Sequence, residues 1–293
     1  ISVLDLPLRC PFPLRFPLRE IFAVKKDDGI GRSVAVFGLG AGRTGIDDGR
    51  IRAVAIMDHP DVRRMLLRMR SLTEAMRGLL YYTAGQVDRG DIGDAAAKAR
   101  AEVLVPMLKA WATDTGIEVA SLGIQVHGGM GFVEETGAAQ HFRDARIAPI
   151  YEGTNGIQAA DLVTRKLGLE NGEVLQALFA DIARDAGEEA QLQALAGECA
   201  AIAKWMREDA SLDDRLAGSV PFTTMCAVAV AGWCLTKQHA ALTESDDTQR
   251  AHAKKVTMRF ILDHIVPEAI GLKASATAGA ALLYELDGSV LAA

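Results

Sequence analysis

The stretch richest in chemically useful residues is 125–165, QVHGGMGFVEETGAAQHFRDARIAPIYEGTNGIQAADLVTR. Within it, Tyr151-Glu152-Gly153-Thr154 places a carboxylate between an aromatic side chain and a glycine. A carboxylate works as a general base when burial lifts its pKa towards the operating pH. Tyr151 would supply an aromatic wall, and Gly153 would let backbone come close to a ligand. Thr154 or Asn155 suits the cap of a following helix, so Glu152 would sit beside a helix N-terminus, which favours an anion. Upstream lies His127-Gly128-Gly129-Met130-Gly131-Phe132, where Gly128, Gly129 and Gly131 clear side chains from a backbone that must approach a ligand. A third candidate, residues 33–45, reads SVAVFGLGAGRTG. Gly40, Gly42 and Gly45 there match the dinucleotide-binding pattern GxGxxG. That pattern needs a helix immediately after it, whereas this chain continues IDDGRIRAVAIMDHP with Gly49 and Pro60.

Each candidate has a plainer explanation. A single Glu in a loop is usually a solvated charge, and paired glycines usually make a turn. His127 and His141 have no second His or acid at ligand spacing, so they read as packing or surface residues and no metal site is expected. Arg143, Asp144 and Arg146 read as a structural charge network. The methionines of 57–76 read as core filler.

The elements that must position these residues are helices. From Asp61, the residues Val62, Met65, Leu66, Met69, Leu72, Met76, Leu79 and Leu80 recur at three- and four-residue spacing, with arginines mostly between them. Pro60 suits the first turn of this helix and Gly90 lies beyond its end. A second long helix is expected over about 95–124, with Pro106 predicting a kink or an early start. A short helix is expected over about 137–146, and another from Asn155 to Gly168. Further helices are expected at about 173–186, 188–208, 219–243, 248–270 and 274–286. The breaks fall at Gly187, residues 213–218, residues 244–247 and Gly271. From residue 60 the fold class is therefore all-α, an antiparallel helical bundle. Residues 1–50 differ. Four of the nine prolines fall in the first 17 positions and Pro-Leu-Arg occurs three times, so this leader is expected to be irregular. A chain that begins with Ile reads as a fragment or a processed product.

Composition narrows the partners. The 293 residues carry a net charge of −6, and the acidic balance argues against nucleic acid. The four cysteines have no CxxC spacing and read as reduced thiols, which points to a soluble, cytoplasmic setting. Residues 216–236 hold no charge and are long enough to span a bilayer. Ser219, Pro221, Thr223 and Thr224 and the many alanines make them a buried core helix instead, so no membrane span is expected.

QVHGGMGF and FRDARIAPIYEGTNGIQ, in this order and about twenty residues apart, resemble the acyl-CoA dehydrogenase family. The resemblance covers 51–293: a C-terminal helical domain over 51–168, then a helical extension over 169–293 that is similar to one branch of the family. It implies FAD-dependent α,β-dehydrogenation of an acyl-CoA thioester, with Glu152 as the base. The same resemblance places Gln125, Gly128, Gly129, Gly131 and Thr154 at FAD, and Tyr151 and Gly153 at the substrate. The glycine loop would meet FAD held by a neighbouring subunit, implying a homodimer or homotetramer, with electron-transferring flavoprotein as acceptor.

The departures are equally specific. Family members carry an N-terminal helical domain and a middle β domain that hold much of the flavin, and neither is recognisable here. The family's first C-terminal helix ends in an Arg-containing segment, whereas residues 46–49 contain no Arg; the fourth residue after the base is Gly156. The chain alone is therefore expected to be weakly active or inactive and need not retain FAD. Two alternatives remain: a non-catalytic helical interaction module, and a nicotinamide-binding protein built on Gly40–Gly45, which would show a parallel sheet.

Overall fold

The computed structural model describes residues 45–47, 50–52, 55–242 and 248–292. It divides into two units, Ile1–Ile56 and Met57–Ala293. In the first, β1 (Gly45–Asp47) pairs antiparallel with β2 (Arg50–Arg52), with Gly45 opposite Arg52 and Asp47 opposite Arg50. Of the leader read as irregular over 1–50, only Gly45–Asp47 and Arg50 are among the described residues, and they lie in this hairpin. Asp48-Gly49, between the two strands, is a strong hairpin signal in sequence, and the leader's prolines lie well upstream of it. Gly40 and Gly42 lie outside the described residues.

The second unit is helical. Helix α1 (Pro60–Asp91) begins on proline and buries Met65, Met69, Leu72, Ala75 and Leu79 along one stripe, as its periodicity predicts. Helix α2 (Ala95–His127) starts on Asp94, whose carboxylate accepts from the Ala97 N–H at 2.9 Å. It runs as one helix with Pro106 inside it, so the expected early start does not occur. The short link between α1 and α2 makes them an antiparallel pair, the most extensive in the molecule.

Then come α3 (Gly129–Phe132), α4 (Ala138–Ala145) and α5 (Asn155–Asp161), the last continued by a π-helical turn, Leu162–Lys166. Glu170, Asn171 and Gly172 all have positive φ and turn the chain into α6 (Glu173–Asp185) and α7 (Ala190–Glu208).

Helix α8 (Leu212–Ala240) is the axis of the unit. It packs on α1, α2, α5, α6 and α7 and on three later helices: α9 (Thr248–Phe260), α10 (Val266–Ile270) and α11 (Lys273–Ala276). A π-helical turn, Ile261–Ile265, joins α9 to α10. Nearly every residue of α8 from Gly218 to Leu235 is buried, because a helix that is apolar all round must be enclosed on all sides. Its most apolar window is 83% buried, as the core-helix reading predicts.

Two expected boundaries are corrected. The break at 213–218 is instead the start of α8, where Ser211 and Asp214 form a reciprocal capping box. Gly218 is a packing residue. A Cβ there would lie 2.1 Å from the Ala276 carbonyl, so only glycine lets α11 approach so closely. The helix expected at 274–286 ends at Ala276 and is followed by Gly279 at φ +75, a 3₁₀ turn (Ala281–Tyr284) and α12 (Gly288–Leu291). This segment leaves Leu282, Leu283, Tyr284, Leu286, Val290 and Leu291 exposed, so no apolar stripe is buried to support a helix.

Ion pairs join helices on either side of residue 168. Arg68 on α1 meets Glu118 on α2 at 2.5 Å and Glu268 on α10 at 2.7 Å. Arg100 on α2 meets Asp181 on α6 at 2.7 Å, and Glu74 on α1 meets Lys254 on α9 at 2.9 Å.

Candidate functional site

Glu152 lies in the loop between α4 and α5. The loop closes on itself: the Asn155 N–H donates to the Pro149 carbonyl at 3.0 Å and the Tyr151 N–H to the Ile147 carbonyl at 3.2 Å. Thr154 caps α5, its hydroxyl accepting from the Ile157 N–H at 3.3 Å. The base candidate therefore stands two residues before a capped helix N-terminus, as the sequence predicts. Its side chain and those of Tyr151 and Thr154 are exposed.

Glu152, like the exposed Glu170, combines a positive φ with a carboxylate that has no hydrogen bond or ion pair among the described residues. Its φ is +53, one of three positive values among described non-glycine residues. This conformation costs about 1–2 kcal/mol for a residue with a Cβ. Its carboxylate makes no hydrogen bond or ion pair to another described residue, and neither does its N–H. Gly153, at φ +84, continues the left-handed turn.

The loop is fixed from a distance. Lys109 on α2 donates to the Gly153 carbonyl at 2.6 Å and to Asn155 Oδ1 at 3.0 Å. Asn155 donates to the Ala110 carbonyl at 2.9 Å and pairs with the Thr113 hydroxyl at 2.9 Å. The sequence reading missed Lys109, Thr113 and Gln158, because a loop anchor more than forty residues upstream leaves no periodicity or motif to read.

The glycine segment stands elsewhere. It follows His127, eighteen residues beyond Lys109, or roughly 27 Å along α2. Gly128 ends α2 at φ +61, and its N–H donates to the Gln125 carbonyl at 3.1 Å. What was expected to be a plain loop contains the helical turn α3. The three glycines differ in role. A Cβ at Gly128 or Gly129 would meet nothing within 4 Å, and both residues are exposed, as is Gln125. A Cβ at Gly131 would lie 2.3 Å from the Ile124 carbonyl, so the fold itself requires that glycine. His127 Nδ1 bonds the Gly123 carbonyl at 2.7 Å, the packing role expected of it. Arg143 pairs with Glu134 at 2.6 Å, and Gln140 bonds both Arg143 and Asp144 at 2.6 Å, which forms the expected charge network around Glu134 rather than Arg146.

Gln158 donates to the Glu152 carbonyl at 3.4 Å and also lines a cavity of about 240 Å³ with Val87, Lys98, Val105, Pro106 and Lys166. That is below the usual range of small-molecule sites, roughly 300–1,000 Å³. Glu152 and the glycine turn thus stand on two separate stretches of the described chain.

Comparison with known proteins follows the same division. A family model described as the acyl-CoA dehydrogenase C-terminal domain matches residues 48–167, and one described as acetyl-CoA dehydrogenase C-terminal like matches 174–287. The 3-methylmercaptopropionyl-CoA dehydrogenase of Ruegeria pomeroyi is 41% identical over 250 residues, spanning 76% of this chain and 42% of that protein. A butyryl-CoA dehydrogenase of Syntrophomonas wolfei is 38% identical over 137 residues, 44% of this chain and 22% of that protein. The chain thus spans less than half the length of these curated relatives. Among solved structures, an acyl-CoA dehydrogenase complexed with FAD from Bacillus anthracis matches with a TM-score of 0.64 at 17% identity. The match covers 89% of this chain and 48% of that one, and shows a shared fold.

Proposed function

Since this chain belongs to the acyl-CoA dehydrogenase family, as its C-terminal portion, we propose that it takes part in the α,β-dehydrogenation of an acyl-CoA thioester, with Glu152 as the base. The observation that carries this reading is the Glu152 loop: an exposed carboxylate with no hydrogen bond or ion pair among the described residues, in a left-handed conformation and anchored to a long helix.

The chemistry this chain can supply follows from that loop. The Glu152 carboxylate takes the proton from the α carbon. The Glu152 N–H, uncommitted within the described residues, donates to the thioester carbonyl and stabilises the negative charge that develops there, as a preorganised dipole does. FAD, when bound, supplies the acceptor for the hydride that leaves the β carbon. Tyr151 and Gly153 border the substrate. Burial of Glu152 by flavin and acyl chain would come only with the ligands, since this chain leaves it in water.

The residues present fit one edge of FAD. Gln125, Gly128 and Gly129 are exposed with open space above the glycines, as a contact surface for a dinucleotide requires. Gly131 supports that edge by letting the chain fold back on α2, and Thr154 acts through its cap of α5. The separation of roughly 27 Å between Lys109 and His127 suits a glycine turn that serves the flavin of a neighbouring subunit in a homodimer or homotetramer. Electron-transferring flavoprotein as acceptor and an intracellular setting belong to the same reading; Cys199, Cys226 and Cys234 are free thiols.

A second reading, a helical module that holds no flavin, is favoured by the small cavity beside the base loop. The visible spectrum of the purified chain, incubated with FAD and freed of excess, separates the two. The dehydrogenase reading expects a retained band near ~450 nm that an acyl-CoA bleaches in the native chain and not in Glu152→Gln. No retained flavin favours the helical module.

A further inference from the structure

Beyond the hydrogen bonds it makes with itself, the loop that carries Glu152 is tied to one short stretch of α2. The Lys109 ammonium donates to the Gly153 carbonyl at 2.6 Å and to Asn155 Oδ1 at 3.0 Å. Asn155 Nδ2 donates to the Ala110 carbonyl at 2.9 Å, and the Thr113 hydroxyl, which donates to the Lys109 carbonyl at 2.8 Å, closes the cluster. These bonds end within residues 109–113, in the interior of a 33-residue helix. Neutral partners would have sufficed to pin a loop. A charge-assisted hydrogen bond is shorter and about twice as strong as a neutral one.

We infer that Lys109 is the positioning residue for Glu152: its ammonium, fastened to the carbonyl of the next residue, holds the base in its left-handed conformation with carboxylate and N–H both facing outward. The catalytic part of this inference rests on the reading of Glu152 as base; the conformational part does not. Glu152 and Gly153 are adjacent left-handed residues; Lys109 holds the peptide that follows Gly153 and Gln158 bonds the Glu152 carbonyl at 3.4 Å, so the two anchors together limit the direction of the Glu152 side chain. Without the anchor, a residue with a Cβ would relax towards ordinary φ, and the acid would swing away. Burial pulls the Lys109 pKa down, while the Asp114 and Glu152 carboxylates pull it back up, so the ammonium is partly desolvated and the base is among the charges acting on it.

The test has two arms on the full chain. In the first, hydrogen exchange is followed at the amides of Tyr151, Asn155, Ile157 and Gln158, which are protected by bonds within the loop or at its helix cap. Lys109→Met is expected to speed this exchange by about tenfold or more, to leave α1 and α8 unchanged, and to be rescued in large part by Lys109→Arg. Asn155→Ala, which removes the second anchor, is expected to act in the same direction. Exchange within twofold of native in Lys109→Met overturns the positioning. In the second arm, FAD-loaded protein is bleached with an acyl-CoA. Lys109→Met is expected to slow the bleaching rate at saturation at least tenfold, with half-saturation within twofold. A change confined to half-saturation makes Lys109 a binding residue and overturns the inference. Bleaching of Glu152→Gln at the native rate would instead overturn the base reading, and the exchange result would stand apart from it.

Discussion

At the scale of single residues, the glycines of the HGGMGF segment show how one motif divides its labour. Gly129 faces open space and has an ordinary φ, so Gly129→Ala is expected to leave stability unchanged or raise it by up to about 1 kcal/mol, since alanine restricts the unfolded chain. Under the proposed reading it weakens flavin retention. Gly131 is different: its added Cβ would collide with backbone at 2.3 Å, which cannot rotate away. Gly131→Ala is expected to cost about 1–3 kcal/mol in denaturant unfolding. Equal effects from the two substitutions would show that both glycines serve the fold. Sequence alone assigned both to the cofactor, because a glycine's use for a ligand and its use for packing leave the same letter. Glu152 was legible from its neighbours, whereas its strain and its anchor were not.

At the scale of elements, most helices were legible from the spacing of their apolar side chains and from the Pro and Gly that bound them; α1, α2, α6 and α7 lie within a few residues of where that spacing puts them, although of these only α2 carries a side-chain cap. Helix α8 defeated that approach at its start. Ser211 and Asp214 cap it, but residues 213–218 read as a break and put the expected start at 219. Tertiary contact reverses the meaning of Gly218, which is kept for the passage of the Ala276 carbonyl. Gly218→Ala is therefore expected to lower stability by about 1–3 kcal/mol, although alanine is the better helix former. Amide exchange should show α11 loosening before the centre of α8. A stabilised Gly218→Ala would mean that the close approach of α8 and α11 is absent in solution.

At the scale of the whole molecule, charged pairs tie the first helices to the later ones, and their titration sets the acid limit of stability. Burial alone would raise the pKa of Glu74, but its bonds to Lys254 and Arg70 outweigh that and hold it below the usual value. Asp181 behaves likewise: burial would raise it, and Arg100 and Arg184 hold it down. A carboxylate depressed in the folded state adds stability that is complete above its unfolded pKa, roughly 4, and is lost as pH falls through its folded pKa. Unfolding midpoints in urea should thus hold steady from pH 7 to about 5 and fall steeply below about 4. Glu74→Gln and Asp181→Asn should each lower the midpoint at pH 7 and flatten the acid limb. An acid limb as steep in the double variant as in the native chain would place the sensitive groups elsewhere.

The sequence by itself determined the helical class, most helix positions and the membership of the family, and it singled out Glu152 as the base to propose, because these follow from local period and contiguous motifs. Only the tertiary structure decided that Glu152 sits in a left-handed turn and that Lys109 bonds the carbonyl of the residue after it. It also decided which glycines the fold cannot replace. Those properties depend on which atoms meet across tens of residues of chain, and a one-dimensional pattern carries no record of such meetings until packing has brought them about.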